Sequence, residues 1–289
     1  TNMSADPEQE YFSDGITEDL ITDLSKISGL FVASRNAVFR YKGEAVEPQR
    51  VSQELGVRYV LEGSVRKVGD RVRISAQLID PPTGYHLWAE RYDRDLTDIF
   101  ALQDEITEKI VAALEVKLTE GEQEQVARRY TENLEAYDYF LRGRAYHARA
   151  TKEATAQARE MFERAIELDP SFAGAYAILS HTHGRDWRHQ WSEDPQPLER
   201  AFEAAKKAVA LDDSLPEAHT YLGWAYAWRK QYEEAIAEGE RAIALDPNFA
   251  EGYARLGQIL ILAGKPEEGV GLVKKAMRLD PHYPPTYLN

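Results

Sequence analysis

Four short markers punctuate this chain: Leu168-Asp169-Pro170, Leu211-Asp212-Asp213, Leu245-Asp246-Pro247 and Leu279-Asp280-Pro281. The last two intervals are each 34 residues long, and the first is nine residues longer. Self-similarity at such a period constrains the fold strongly, because one supersecondary unit cannot bury its own apolar face and must stack on its neighbours. Small residues recur between the markers at matching places. Leu222-Gly223, Tyr226, Ala235 and Ala242 precede the third marker, and Leu256-Gly257, Gly269 and Ala276 precede the fourth. A small residue is needed where two helices cross closely, and proline stops a helix. Each period therefore predicts a helix–turn–helix hairpin.

An earlier hairpin uses Gly143, Tyr146, Ala158, Phe162, Ala165 and Pro170, and the next uses Tyr176, Leu179, Ala201, Ala208 and Asp213. The additional residues of that second hairpin fall around GRDWRHQWSEDPQP, positions 184–197, and Asp213 stands where the other periods have proline. The terminal PPTYLN reads as the start of a fifth hairpin. This pattern, at this spacing, matches the tetratricopeptide repeat.

Residues 1–95 follow a different grammar. Ile16, Leu20, Leu24 and Ile27 recur at helical spacing, with Gly29 as the stop. Leu30-Phe31-Val32-Ala33 reads as a short buried strand, and Pro48 to Leu55 as a helix with proline in its first turn and Gly56 just past its end. The stretch VRYVLEGSVRKVGDRVRISAQLID is a hairpin turning at Gly69-Asp70. Setting Val68 opposite Arg71 puts Leu61, Gly63 and Val65 on one face with Leu78, Ala76 and Ile74. The other face then pairs Arg66 with Arg73, Ser64 with Ser75 and Glu62 with Gln77. A one-residue slip would bury the arginines, so the register is specified. Pro81-Pro82-Thr83-Gly84 turns into a third strand from Tyr85 to Tyr92. The expected architecture is thus an α/β domain at 1–95, with a small mixed sheet and flanking helices. A linking helical segment at 96–130 follows, with apolar Leu102, Ile106, Ile110, Ala113 and Val116 on one stripe of a helix from Ile99 to about Leu118. An all-α superhelical repeat domain fills 131–289.

Composition excludes several chemistries. The chain has no cysteine, which removes disulfides, thiolate catalysis and cysteine zinc sites. Its formal charge of -14 argues against a general nucleic-acid surface. No run of about 18 apolar residues is present, and no signal peptide opens the sequence. Phosphate-loop, GxSxG and HExxH patterns are missing, and Ser64 lies within a strand rather than at a strand-to-helix turn.

Four constellations invite a functional reading. Asp14, Glu18 and Asp19 crowd the N-terminus, but no histidine or lysine partner stands beside them in sequence and EF-hand spacing is absent. The plainer reading is that Ser13 or Asp14 caps a helix while Glu18 and Asp19 complement its positive end. His181, His183 and His189 suggest a metal. Residues two apart on a helix diverge by about 200°, so His181 and His183 cannot chelate together and packing is favoured. Arg66, Arg71 and Arg73 suggest an anion site, although an internal charge lattice with Glu62 and Glu90 accounts for them. Ser34, Arg35 and Asn36 follow the short strand, and loops at strand ends line ligand crevices in open α/β sheets. A small-ligand loop is kept there as the weaker alternative. No catalytic, metal or cofactor-binding residue is assigned, and no cofactor is expected.

The segments NMSADPEQEYFSDGITEDLITDLSKISGLFVASRNAVFRYKG, VSQELGVRYVLEGSVRKVGDRVRISAQLID and HLWAERYDRDLTDIFALQDEI together resemble the TolB-N-terminal-like domain of bacterial signalling proteins. In that family the domain precedes tetratricopeptide repeats, notably in the C-terminal half of class III adenylate/guanylate cyclases. It also follows winged-helix domains in transcriptional regulators and, occasionally, protein kinase domains. The resemblance implies that an apolar strand and a catalytic domain lie upstream of Thr1, so no catalytic residue carries over and the chain is not expected to be an enzyme. It implies a cytoplasmic, non-catalytic regulatory module that binds a protein partner or a second copy to bias cAMP synthesis elsewhere. No nucleic-acid or membrane partner is implied for this chain.

Carrying the repeat family's groove positions onto this sequence gives Arg144, His181, Arg185, Trp224, Trp228, Arg255 and Gln258. Trp224 and Trp228 are one turn apart and form the candidate anchor for a protein or peptide. In the competing reading, the segment bearing Trp187 and Trp191 folds over the groove and buries them. The lysine/asparagine pattern of chaperone-type carboxylate clamps is not matched. Two alternatives of other classes stand beside this one: a small-molecule-sensing α/β domain with the repeats as spacer, and the effector part of a winged-helix regulator.

Overall fold

The computed structural model describes residues 1–4, 6–126, 131–191 and 196–281. The PPTYLN segment lies outside the described residues. Two compact units divide at Arg129/Tyr130.

The first unit is built on a three-stranded antiparallel sheet, β1 (Val60–Val68), β2 (Arg71–Asp80) and β3 (Tyr85–Asp95), in that order. Gly69 takes φ +54 at the first turn, which a residue with a side chain adopts only with strain. The β1–β2 register pairs Val68 with Arg71, Val65 with Ile74, Arg66 with Arg73 and Leu61 with Leu78, as the alternation requires. Val65, Val72, Ile74, Ala76 and Leu78 are buried on one face. Against β2 and β3 lies α4 (Ile99–Ala113), which also touches α1 (Glu10–Ser25). Ile99, Leu102, Ile106 and Ile110 form its buried stripe.

Four local expectations are corrected. Residues 30–33 form no strand: Phe31 is 51% exposed, and the segment leads into the short helix α2 (Arg35–Phe39). The β1 edge such a strand would need is met near Val65 by residues 1–3. Val65 N–H donates to the Thr1 carbonyl (2.9 Å), Met3 N–H donates to the Val65 carbonyl (2.8 Å), and Asn2 bridges Val65 in parallel. The sheet is therefore antiparallel apart from that single bridge, not mixed. The linking helix ends at Ala113 because Glu115 takes a left-handed φ of +55, so Val116 lies beyond its stripe. A separate helix, α5 (Glu120–Val126), begins at a capping box in which Glu122 accepts from Thr119 N–H (2.8 Å) while Thr119 Oγ1 accepts from Glu122 N–H (3.2 Å). Finally, the first helix starts at Glu10, which leaves Ser13 buried inside it. The cap is Asp6, whose carboxylate accepts from Glu8 N–H at 2.9 Å ahead of a single 3-10 turn. Helix α3 (Pro48–Leu55) closes on Gly56 at φ +65, as read from the sequence.

In the second unit, eight helices among the described residues form four hairpins: α6 (Leu134–His147) with α7 (Lys152–Leu168), α8 (Ala173–His189) with α9 (Pro197–Leu211), α10 (Pro216–Trp228) with α11 (Tyr232–Leu245), and α12 (Ala250–Leu262) with α13 (Pro266–Leu279). Each of the first helices α8, α10 and α12 also packs on the second helix of the preceding hairpin.

The Leu-Asp markers now have a physical reason. Each aspartate leaves the helix in an extended conformation while its N–H still bonds back to an alanine carbonyl: Asp169 to Ala165 (2.9 Å), Asp212 to Ala208 (2.9 Å), Asp246 to Ala242 (3.2 Å) and Asp280 to Ala276 (2.8 Å). Three of these carboxylates then accept from the N–H two residues on, Ser171, Ser214 and Asn248, at 2.8–2.9 Å. The side chain thus ends one helix and shapes the turn into the next hairpin. At Asp213 the missing proline is replaced by a tether, since its carbonyl lies 2.9 Å from His219 Nε2.

The hairpins cross where side chains are absent. A Cβ on Gly143 would come within 2.5 Å of the Phe162 ring, and one on Gly257 within 2.7 Å of the Gly269 carbonyl oxygen. The Gly257 contact is with backbone, which cannot swing aside. Gly257→Ala is expected to lower unfolding stability by about 1–3 kcal/mol through overpacking. Gly121, with open space around it in α5, is the control, and Gly121→Ala should be neutral or stabilising by up to about 1 kcal/mol. Urea denaturation of both variants checks the pair.

Candidate functional site: the first-helix face of the repeats

The seven groove positions expected from sequence all fall on first helices: Arg144 on α6, His181 and Arg185 on α8, Trp224 and Trp228 on α10, and Arg255 and Gln258 on α12. Five of them fall in two groups of rings and guanidinium groups, one around His181 and one around Trp224. The His147 and His181 ring nitrogens lie 3.0 Å apart, and His181 stacks on Tyr221 with centroids 4.7 Å apart and planes 11° from parallel. Arg185 donates from Nη1 to the His147 carbonyl (2.7 Å), tying α8 to α6. Further along, Trp224 stacks on Trp228 at 5.3 Å, and the Arg255 guanidinium lies 5.4 Å from the Trp224 ring centre. Arg144 sits apart, with its guanidinium 5.5 Å from Phe140, and Gln258 is half-buried on α12.

Burial changes what these residues can do. Trp224 is 8% exposed and Arg255 4%, so neither is an open anchor. Trp228 is half-buried and reaches α8, where a Cβ on Gly184 would come within 2.6 Å of its ring. The insertion supplies the cover. Its first residues continue α8 to His189, and Trp187 packs on Trp228 at 5.0 Å while staying 38% exposed. Trp191 stacks instead on His189, at 4.5 Å. The tryptophan pair is therefore largely cement between α8, α10 and α12, and Trp187, Trp228 and Arg188 form its accessible rim. Sequence reasoning missed His147 and Tyr221, although each stands three residues from an expected position on the same helix, Arg144 and Trp224, where side chains share a face.

Burial pushes the His181 imidazole well below its ordinary value of 6.5, and the charges of Arg185, His147, Arg255 and Arg188 push it the same way. His219 moves oppositely. Burial disfavours its charged form, but Glu238 at 2.6 Å and the Asp213 carbonyl outweigh that and raise it. His183 is buried at 4%.

In the first unit the remaining candidates close on internal partners. Lys42 bridges Glu10 (2.7 Å) and Asp14 (2.6 Å), while Asp19 is buried and accepts from Gln103 at 3.1 Å. Glu18 pairs with Arg35. Asp14, Glu18 and Asp19 lie within α1 rather than at its start, so they do not serve its N-terminal end. Of the sheet arginines, Arg71 and Arg73 are neutralised by β3, not by Glu62 and Glu90. Arg71 holds Asp93 (2.6 Å) and Asp95 (2.8 Å), Arg73 holds Asp93 (3.0 Å), Glu62 accepts from Gln77, and Glu90 accepts from Tyr92. The Ser34 hydroxyl caps α2 by accepting from Ala37 N–H (3.3 Å), and Arg35 lies over the Phe39 ring at 4.2 Å. With no strand leading into it, this segment lacks the crevice geometry that suggested a ligand loop.

Among the described residues no helix is long and apolar enough to cross a membrane. Residues 216–249, spanning α10 and α11, match the tetratricopeptide repeat family model. Over 235 residues the chain is 52% identical to a Rhizobium meliloti (strain 1021) protein described as "Putative adenylate cyclase 3", covering 81% of this chain and 40% of that protein. The chain thus spans less than half the length of this curated relative. Similar solved structures include a thermophilic tetratricopeptide protein of Thermus thermophilus, at 18% identity and TM-score 0.44 over 66% of this chain and 90% of that one. Pseudomonas aeruginosa pilF is similar at 25% identity and TM-score 0.41, over 53% of this chain and 64% of that one.

Two outcomes follow from the burial pattern. Trp224→Ala should cost about 3–5 kcal/mol of stability, whereas Trp187→Ala should cost about 0.5–1.5 kcal/mol, the worth of an aromatic pair; chemical denaturation compares them. His181 is held neutral in the fold, so the unfolded chain binds the additional proton below 6.5. Its contribution is present above that value and is lost as pH falls toward the depressed folded value. His181→Phe should therefore flatten the decline in melting temperature between about pH 7 and about pH 5, relative to the parent.

Proposed function

We propose that this chain is a non-catalytic, protein-binding regulatory module of a bacterial adenylate cyclase. In this reading residues 1–95 are a TolB-N-terminal-like α/β domain, 96–130 link it to the repeats, and 131–289 are the tetratricopeptide domain. The observation that carries the reading is the ladder of rings and guanidinium groups on the first helices, with the rim of Trp187, Arg188 and Trp228 accessible on it. Such a face offers large apolar area at low ordering cost together with directional charge, the combination enriched at protein interaction hot spots. The cyclase assignment draws on the 52% identity to the Rhizobium protein.

The mechanism is a coupling between binding and activity. A partner, or a second copy of the chain, engages the repeat face and biases a catalytic region elsewhere in the full protein by its differential affinity for the active and inactive states. Catalysis is placed outside this chain, in a compartment where ATP and cAMP are available, the cytoplasm.

Mixing the purified chain with the portion of the Rhizobium relative outside the matched 235 residues tests this. The expected result is saturable binding by interferometry and a change in cyclic-nucleotide formation of about 5-fold, the low end of allosteric coupling. The chain incubated with ATP and Mn²⁺ should form no cyclic nucleotide above background. Activity of the isolated chain, or the absence of both binding and coupling, would overturn the reading.

A further inference from the structure

The third hairpin departs from the repeat pattern twice, and the two departures touch. Asp213 stands where the other periods have proline. His219 stands where the second and fourth hairpins have Tyr176 and Tyr253, eight residues past each marker leucine. In the fourth hairpin the tyrosine hydroxyl accepts from Lys275 Nζ at 2.7 Å. An imidazole at this place brings in the side chain whose ordinary charge change lies nearest neutral pH. His219 is buried near the start of α10, and its ring meets an acceptor at each nitrogen. A Glu238 carboxylate oxygen of α11 lies 2.6 Å from Nδ1, and the Asp213 carbonyl oxygen lies 2.9 Å from Nε2. An ionised carboxylate and a carbonyl only accept, and a neutral imidazole donates from one nitrogen, so the cation alone satisfies both contacts. In the neutral ring a lone pair would face an oxygen at hydrogen-bond distance. Of the leading charges on the ring, Glu238 favours the cation and Arg241, also on α11, opposes it. Helices α8, α9 and α12 also pack on α10 and supply none of those leading charges. On the turn itself the Asp213 side chain is exposed, and Asp212 accepts from the Ser214 N–H (2.9 Å) and hydroxyl (2.7 Å).

We propose that His219 is a proton-operated clasp on the joint between the second and third hairpins. Charged, it ties the turn at Asp213 to α11; deprotonated, it releases one of its two partners and the joint loosens. Proline would fix φ at this turn at any pH, whereas the histidine tether holds it conditionally. Burial alone would lower the His219 pKa, but the bonds to Glu238 and the Asp213 carbonyl outweigh it and raise the pKa above the ordinary 6.5. The clasp therefore contributes fully below 6.5 and is lost as pH rises through the raised value. His181 acts in the opposite sense, losing its contribution as pH falls.

Amide hydrogen exchange of the full chain, read by mass spectrometry across residues 212–222 and corrected for the intrinsic pH dependence of exchange, tests this. In the parent, protection there should fall about tenfold or more between about pH 6 and about pH 9, the worth of a hydrogen bond to a charged group. Glu238→Gln supplies an amide that donates to Nδ1 while Nε2–H donates to the Asp213 carbonyl, so the neutral ring satisfies both contacts and the fall should vanish. His219→Tyr, which restores the residue type of the neighbouring hairpins, should show no fall either. A parent whose protection does not change with pH would overturn the clasp, as would a fall retained in either variant. Should a variant fail to fold, an NMR titration of the parent's His219 imidazole decides. A midpoint above 6.5 is expected, and one at or below 6.5 sinks the proposal.

Discussion

The close crossing of the two helices in each hairpin is the constraint on which the second unit depends. Gly257 and Gly269 meet backbone to backbone, Gly223 approaches the Ala235 carbonyl, and Gly143 lies under the Phe162 ring. Ala158, Ala165, Ala201, Ala208, Ala235, Ala242 and Ala276 are fully buried along the same seams. With so little side-chain volume between them, dispersion contacts form between backbones, and a single methyl group is felt. The aspartate turns matter for the same reason. They fix where one hairpin ends and the next begins, so each crossing is placed relative to its predecessor. A repeat array has few contacts between sequence-distant parts, and errors at one junction are not corrected elsewhere.

From that spacing the ring ladder follows. Once α8, α10 and α12 are held side by side, large residues on their shared face must fill the gaps the small seam residues do not. Trp228 fits because Gly184 leaves room for its ring, and Arg255 fits because it can lie flat over Trp224. The same contacts that stabilise the array therefore expose only its rim. Trp224 and Arg255 are structural supports of the face, while Trp187, Trp228 and Arg188 keep accessible surface.

The repeat period, the hairpin register of β1 and β2, and the α3 cap could all be read from sequence because each is a local rule: a marker spacing, an alternation of period two, and a proline-to-glycine frame. What could not be read is what depends on distant partners. The Leu30–Ala33 run looked like a strand by composition, yet the sheet edge it needed is engaged by residues 1–3. The helix cap was placed at Ser13 or Asp14 because acidic residues crowd there, but Asp6 and a 3-10 turn begin the element earlier. The site followed the same division. Face membership of all seven residues is what the resemblance to the repeat family implies, whereas the cover over Trp228 comes from the insertion, whose Trp187 packs on that ring forty-one residues later in the chain.

The two units also differ in how they handle charge. On the sheet of the first unit, opposite charges face each other across strands. Arg71 and Arg73 share Asp93, and Lys42 joins Glu10 with Asp14 a turn apart on α1. A ligand competing for any of those groups would have to break an ion pair already formed, and exposed pairs gain little on exchange. On the first helices of the repeats, Arg188 and Arg255 come from separate hairpins, and burial and like charge depress the Arg188 guanidinium, while Arg255 is also held by Glu251 on its own helix at 3.2 Å. Coulomb energy at such a site grows as the effective dielectric falls, so the buried Arg255 interacts more strongly with its charged neighbours than the exposed arginines of the sheet do with theirs.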